Sequence, residues 1–187
     1  MNRLLPIACF LISLLTLHVA ADDWIELFNG KDLSGWHTNR AEGSFAVKDG
    51  LLVAIAKGQT ESNSGIFIHT DYALRDDKGH LANGYEVNLN TSKNVKQKTG
   101  SLYDVVDLTE PPLDDTQWFE TRIRVQGKRI QIWLDGKQVV DYLESENPIR
   151  KPNRKGRLLN PEGAAIALQA HDPDSLWQFK EIRIRRL

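Results

Sequence analysis

Apolar and polar residues alternate along this chain in short runs, and Gly, Pro, Asn or Asp bounds each run. That is the pattern of half-buried antiparallel strands. It predicts strands at Ser44–Val47, Leu51–Ala56, Gly65–Thr70, Tyr85–Asn90, Gly100–Val106, Trp118–Gln126, Arg129–Leu134, Lys137–Tyr142, Ala164–Ala170 and Leu176–Arg185. Lys48-Asp49-Gly50 and Asp135-Gly136 read as hairpin turns, because glycine supplies the positive φ of a tight turn. No dozen-residue stretch keeps a helical period. Many short strands without helices to cover a parallel sheet predict an all-β fold, an antiparallel two-sheet sandwich.

Successive residues of a strand point to opposite faces, so the alternation also sorts side chains. Ile66 and Ile68 face one way, Phe67 and His69 the other; Tyr85, Val87 and Leu89 oppose Glu86, Asn88 and Asn90. Ile123 and Val125 point inward and Arg122 and Arg124 outward, as do Gln131 and Trp133 against Ile130, Ile132 and Leu134. Ile166, Leu168 and Ala170 take the core, so Ala167, Gln169 and His171 share the outer face. Parity changes between Phe179 and Ile182, which predicts a bulge near Lys180.

The first 21 residues break the alternation. Arg3, an apolar stretch from Leu4 to Val19, and small residues at Ala20 and Ala21 read as a cleavable secretory leader, so the chain is expected to be exported, periplasmic or secreted, with residues 22–187 as one domain. Loss of the leader removes Cys9, the only cysteine, and Arg3, leaving 23 Lys and Arg against 25 Asp and Glu. Disulfide and thiol chemistry are then excluded. Without a basic block, nucleic acid is not an expected partner. The RKPNRKGR run at 150–157 is interrupted by Pro152, Asn153 and Gly156 and reads as a solvated loop.

The outer faces carry an unusual set for strands facing water: His69, Glu86, Gln169, His171, Arg122, Arg124 and Trp133. Aromatic faces stack on sugar rings, and guanidinium and amide groups bond hydroxyls, so a carbohydrate is the expected ligand class, against the plainer reading of incidental surface polarity. Ser64 and Ser101 sit in no nucleophile elbow. Asn88 and Asn90 follow Glu86 on its face, so the paired carboxylates of an ordinary retaining glycosidase are missing there.

The segments WIELFNGKDLSGWH, FAVKDGLLVA, NSGIFIHTDY, GYEVNLN, KTGSLY, WFETRIRVQGKRIQIWLDGKQVVDY, ALQAHDPDS and FKEIRIRRL, in that order, resemble the 3-keto-disaccharide hydrolase family. The resemblance implies a concanavalin-like jelly roll in an exported protein that acts on glycosides oxidised at the third carbon of the sugar. One departure is visible. Family members place an aromatic-rich strand between the LLVA and NSGIF segments, and here only a short polar link stands there. Loss of that strand would leave backbone edges to be covered.

A ketone at carbon 3 acidifies the hydrogen on carbon 2, so a base there can expel the group on carbon 1, and water can add afterwards. Glu86 and His171 are the expected catalytic base and acid, with Asp172 as a candidate to orient His171. Gln169, Trp133, Arg122, Arg124 and Asn88 are the expected substrate-binding residues. His69 with Glu86 could hold one divalent cation against the keto oxygen. A non-catalytic, lectin-like domain on the same fold, or a module that packs on a partner, stays open beside the enzyme.

Overall fold

Tyr85–Asn90 alternates apolar and polar residues, yet every side chain of it is buried. The reason lies in how the chain wraps that strand from both sides. The computed structural model describes residues 24–38, 43–55, 63–71, 73–76, 80–92, 95–160, 165–170 and 176–187. The predicted leader, His171 and Asp172 lie outside these residues.

The strands are β1 (Ile25–Glu26), β2 (Phe45–Lys48), β3 (Leu51–Ile55), β4 (Asn63–Thr70), β5 (Tyr85–Asn90), β6 (Thr121–Gln126), β7 (Arg129–Leu134), β8 (Lys137–Leu143), β9 (Ala165–Leu168), β10 (Leu176–Phe179) and β11 (Arg183–Ile184). Every pairing is antiparallel, in the orders β5-β4-β9, β6-β7-β8, β10-β3-β2 and β1-β11. Among the described residues the only helical turn is the 3₁₀ segment Pro152–Arg154. The fold is thus the all-β antiparallel sandwich that the pattern predicts.

Two layers meet over Tyr85 and Val87 of β5, Ile68 of β4, Ile130 and Ile132 of β7 and Val140 of β8. Their other faces carry the polar half of the alternation. Ala54 and Trp177 bring β3 and β10 onto Leu89, and Ile66 packs on both clusters, so the core is continuous.

Three expectations need correction. Gly100–Val106 is not a strand; it makes only isolated bridges, Leu102 to Val87 and Leu102 to Val106, while Asn88 N donates to Ser101 O and Tyr103 N to Glu86 O at 2.9 Å each. This segment therefore covers the free edge of β5 as an irregular strap. The bulge expected near Lys180 is a full break between β10 and β11, with Leu27 N donating to Ile182 O at 2.7 Å. The short link that the sequence has between LLVA and NSGIF does not leave the flanking strands with an open edge: β3 is paired by β2 and β10, and β4 by β5 and β9.

Candidate functional site

The outward face of β5-β4-β9 is built by register. Phe67 stands across from Glu86 on one side and Ala167 on the other. Gly65 stands across from Asn88, and its carbonyl accepts from Gln169 N at 2.9 Å. Glu86, Phe67 and Gln169 line one pocket on this face. The enclosed volume is about 60 Å³.

The pocket's far wall comes from the segment read as a solvated loop. Arg157, only 4% exposed, pairs through Nη2 with Glu86 Oε2, donates through Nη1 to Gly84 O at 3.3 Å, and stacks on Phe67 at 5.1 Å. Arg154 also lines the pocket; its Nε donates to Asp104 at 3.0 Å and its guanidinium lies over Tyr103 at 5.2 Å. Arg150 anchors the segment from below, donating through Nε to Arg157 O at 2.8 Å and through Nη2 to Tyr85 and Tyr142 hydroxyls at 2.7 Å. Gly156 makes the close approach possible, since a β-carbon there would stand 1.9 Å from Ala82 O.

Burial pulls the Arg157 guanidinium below the ordinary arginine value, and Glu86 opposes that pull. The buried polar atoms of the lining that have no hydrogen-bond partner among the described residues include the donor Nε of Arg157 and the acceptor Oε1 of Gln169. Buried polar groups are nearly always paired, so an orphaned donor and an orphaned acceptor in one pocket call for an explanation.

The predicted site residues separate into groups. Glu86 and Gln169 come together. Asn88 shares their face but is fully buried, its amide donating to Gln97 O at 2.7 Å, so it holds the chain at Gln97 rather than lining the pocket. Trp133, Arg122 and Arg124 point outward as parity requires, but from the other layer. Outward on β6-β7-β8 is the opposite side of the sandwich from Glu86, where Arg122 stacks on Trp133 at 5.3 Å and Arg124 donates to Gln126 at 2.8 Å. They do not share a site with Glu86. His69 leaves the face because the β4–β9 register shifts between Phe67 and Thr70; its φ is +51° and its Nδ1 lies 3.3 Å from Asn160 O.

A divalent cation does not fit the described part of this site. Glu86 already answers a buried guanidinium whose charge opposes a second cation, and His69 lines no part of the pocket. Among the described residues no three His, Cys, Asp or Glu side chains come together.

Arg75, His80, Tyr103, Arg154 and Arg157 all line the pocket, and sequence reasoning passed over them. They sit on irregular segments, where no periodicity assigns a face. One signal was present in the 150–157 run: its arginines at 150, 154 and 157 turn inward while Lys151 and Lys155 stay exposed. Arginine is the cation suited to buried, forked contacts.

The protein is thus an antiparallel β-sandwich with a charged, partly unsatisfied pocket on one outer face. The chain belongs to the 3-keto-alpha-glucoside-1,2-lyase-like domain family, whose model matches residues 54–185. Two solved structures of proteins from Parabacteroides distasonis ATCC 8503, each provisionally named a glycosyl hydrolase, share the fold. The one at 1.70 Å has a TM-score of 0.61 and 22% identity, covering 89% of this chain and 95% of that one. The one at 2.00 Å has a TM-score of 0.62 and 22% identity, covering 89% of this chain and 100% of that one. No curated protein matches the chain.

Proposed function

We propose that this protein is an exported carbohydrate-active enzyme that cleaves 3-keto-glycosides by elimination and hydration. Family membership supports the substrate class, and the pair of orphaned pocket atoms carries the reading. A keto sugar presents a carbonyl that can accept from Arg157 Nε and hydroxyls that can donate to Gln169 Oε1. An ordinary glycoside has no carbonyl to offer.

In this reading the Glu86 carboxylate takes the proton from carbon 2. The electron pair flows to the oxygen on carbon 3, and the fixed charge of Arg157 stabilises the enediolate that forms. Collapse of the enediolate breaks the bond from carbon 1 to the aglycone oxygen and leaves an enone. Water then adds at carbon 1, its remaining proton balancing the one taken up by the released aglycone oxygen, and Glu86 returns its proton to carbon 2.

The test is release of nitrophenol from a nitrophenyl 3-keto-glucoside beside the same glucoside unoxidised. Only the keto sugar should be cleaved, and Glu86→Gln should lower the rate by about 100-fold or more. Equal cleavage of both sugars, or none, overturns the reading. Sugar binding without release that survives Glu86→Gln would establish the lectin-like alternative instead.

A further inference from the structure

Leu74 and Leu81 bridge across a short turn in which Arg75 N donates to His80 O and Ala82 N to Ala73 O, each at 2.8 Å. The turn sets Asp76 and His80 side by side. His80 Nδ1 lies 2.9 Å from Asp76 Oδ1 and 2.8 Å from Oδ2, and His80 N donates to Oδ1 at 3.2 Å. Arg75 Nε donates to Asp76 Oδ2 at 3.3 Å, and its Nη1 reaches Asn153 O at 3.3 Å, tying the turn to the arginine segment. Burial pushes the Asp76 carboxyl up, but His80 and Arg75 outweigh it and hold the group down to about 2. A carboxylate that stays ionised is what an imidazolium needs beside it.

We propose that His80 is a further catalytic residue of this pocket, the acid that protonates the departing aglycone oxygen, and that Asp76 is its positioning residue. His80 lines the same pocket as Glu86. With Nδ1 directed at a carboxylate, Nδ1 carries the hydrogen of that contact, and Nε2 is the nitrogen that exchanges a proton with substrate. As the bond from carbon 1 to oxygen breaks, the Nε2 proton passes to the leaving oxygen and His80 becomes neutral. In hydration the neutral ring takes a proton from the attacking water while Glu86 protonates carbon 2, so both groups return to their starting states. Asp76 itself stays out of the pocket lining, which suits a residue that acts through His80.

This inference rests on the proposed reaction, and its test separates the two. Nitrophenolate leaves without help from an acid, whereas methoxide does not. If the unaltered protein releases nitrophenol from the nitrophenyl 3-keto-glucoside, the reaction stands whatever His80 does. His80→Gln should then lose about 100-fold or more on the methyl 3-keto-glucoside and at most about tenfold on the nitrophenyl one. Asp76→Asn should lose less than His80→Gln with the same preference. Equal losses on both aglycones would mean damage to the turn and overturn the proposal. So would full activity of His80→Gln on the methyl glycoside, or the same preference shown by His171→Gln alone.

Discussion

Gly65 has no side chain where Glu86 needs the space: a β-carbon at Gly65 would stand 3.0 Å from both Cγ and Oε1 of Glu86. The two residues lie diagonally on one face, Gly65 opposite Asn88 and Glu86 opposite Phe67. The carboxylate therefore leans over the bare backbone of β4 at Gly65. Gly65→Ala should push Glu86 aside by a few tenths of an ångström and cost roughly tenfold in cleavage of a 3-keto-glycoside, since small misplacements at a reacting group are expensive. Stability should fall by about 1 kcal/mol or less from crowding. Paired rate and urea-unfolding measurements check this; an unchanged rate would mean that Glu86 does not depend on the gap.

How much of this was legible beforehand follows from where each residue sits. Parity placed Glu86 and Gln169 on one face because β5 is regular and Gln169, one residue past β9, still donates its N–H to Gly65 of β4, and the alternation in Tyr85–Asn90 and Arg129–Leu134 marked both strands at their observed ends. Parity says that a residue points outward but not from which layer. That is why parity alone groups Trp133, Arg122 and Arg124 with Glu86, although they face the opposite side. Arg157 and His80 were illegible for another reason: contacts between irregular segments and a strand distant in sequence leave no period. Arg157 reaches Glu86 across 71 positions of chain.

The Glu86 and Arg157 pair is buried, so each group depends on the other for its countercharge. Arg157→Met or Glu86→Leu alone should destabilise the fold by about 3–5 kcal/mol, because each leaves one charge buried without its partner. The double substitution should recover most of that loss and still show no cleavage. Urea unfolding of the three variants measures the coupling. Additive losses in the double variant would mean that the two side chains act independently.

Asp104 should contribute to the acid sensitivity of the fold. Burial pushes its carboxyl up, and Lys151 at 2.5 Å and Arg154 at 3.0 Å outweigh burial and hold it below the ordinary 3.8. A folded value below the unfolded one contributes stability that is complete above 3.8 and is lost as pH falls through the folded value. Asp104→Asn should thus be less stable than the parent at neutral pH, and the gap should close as pH drops below about 4. Thermal unfolding at several pH values checks the sign; a gap that widens in acid would contradict it.

Beneath the pocket, Tyr85 and Tyr142 both accept from Arg150, but only Tyr85 also donates to a buried carboxylate, Glu144 Oε2, at 2.5 Å. Burial first, and then Glu144, push the Tyr85 hydroxyl well above its ordinary value, so it remains a donor throughout the working pH range. Glu144 in turn accepts from Leu159 N at 3.0 Å, fixing the chain just past Arg157. Tyr85→Phe removes a bond to a charged group and should cost about 1.5–3 kcal/mol. Tyr142→Phe removes a contact that Arg150 keeps elsewhere and should cost about 1 kcal/mol. Because Arg150 also holds the Arg157 carbonyl, Tyr85→Phe should slow cleavage more than Tyr142→Phe at saturating substrate. Urea unfolding and saturation kinetics of the two variants decide it, and equal effects would show that Glu144 plays no part in seating Arg157.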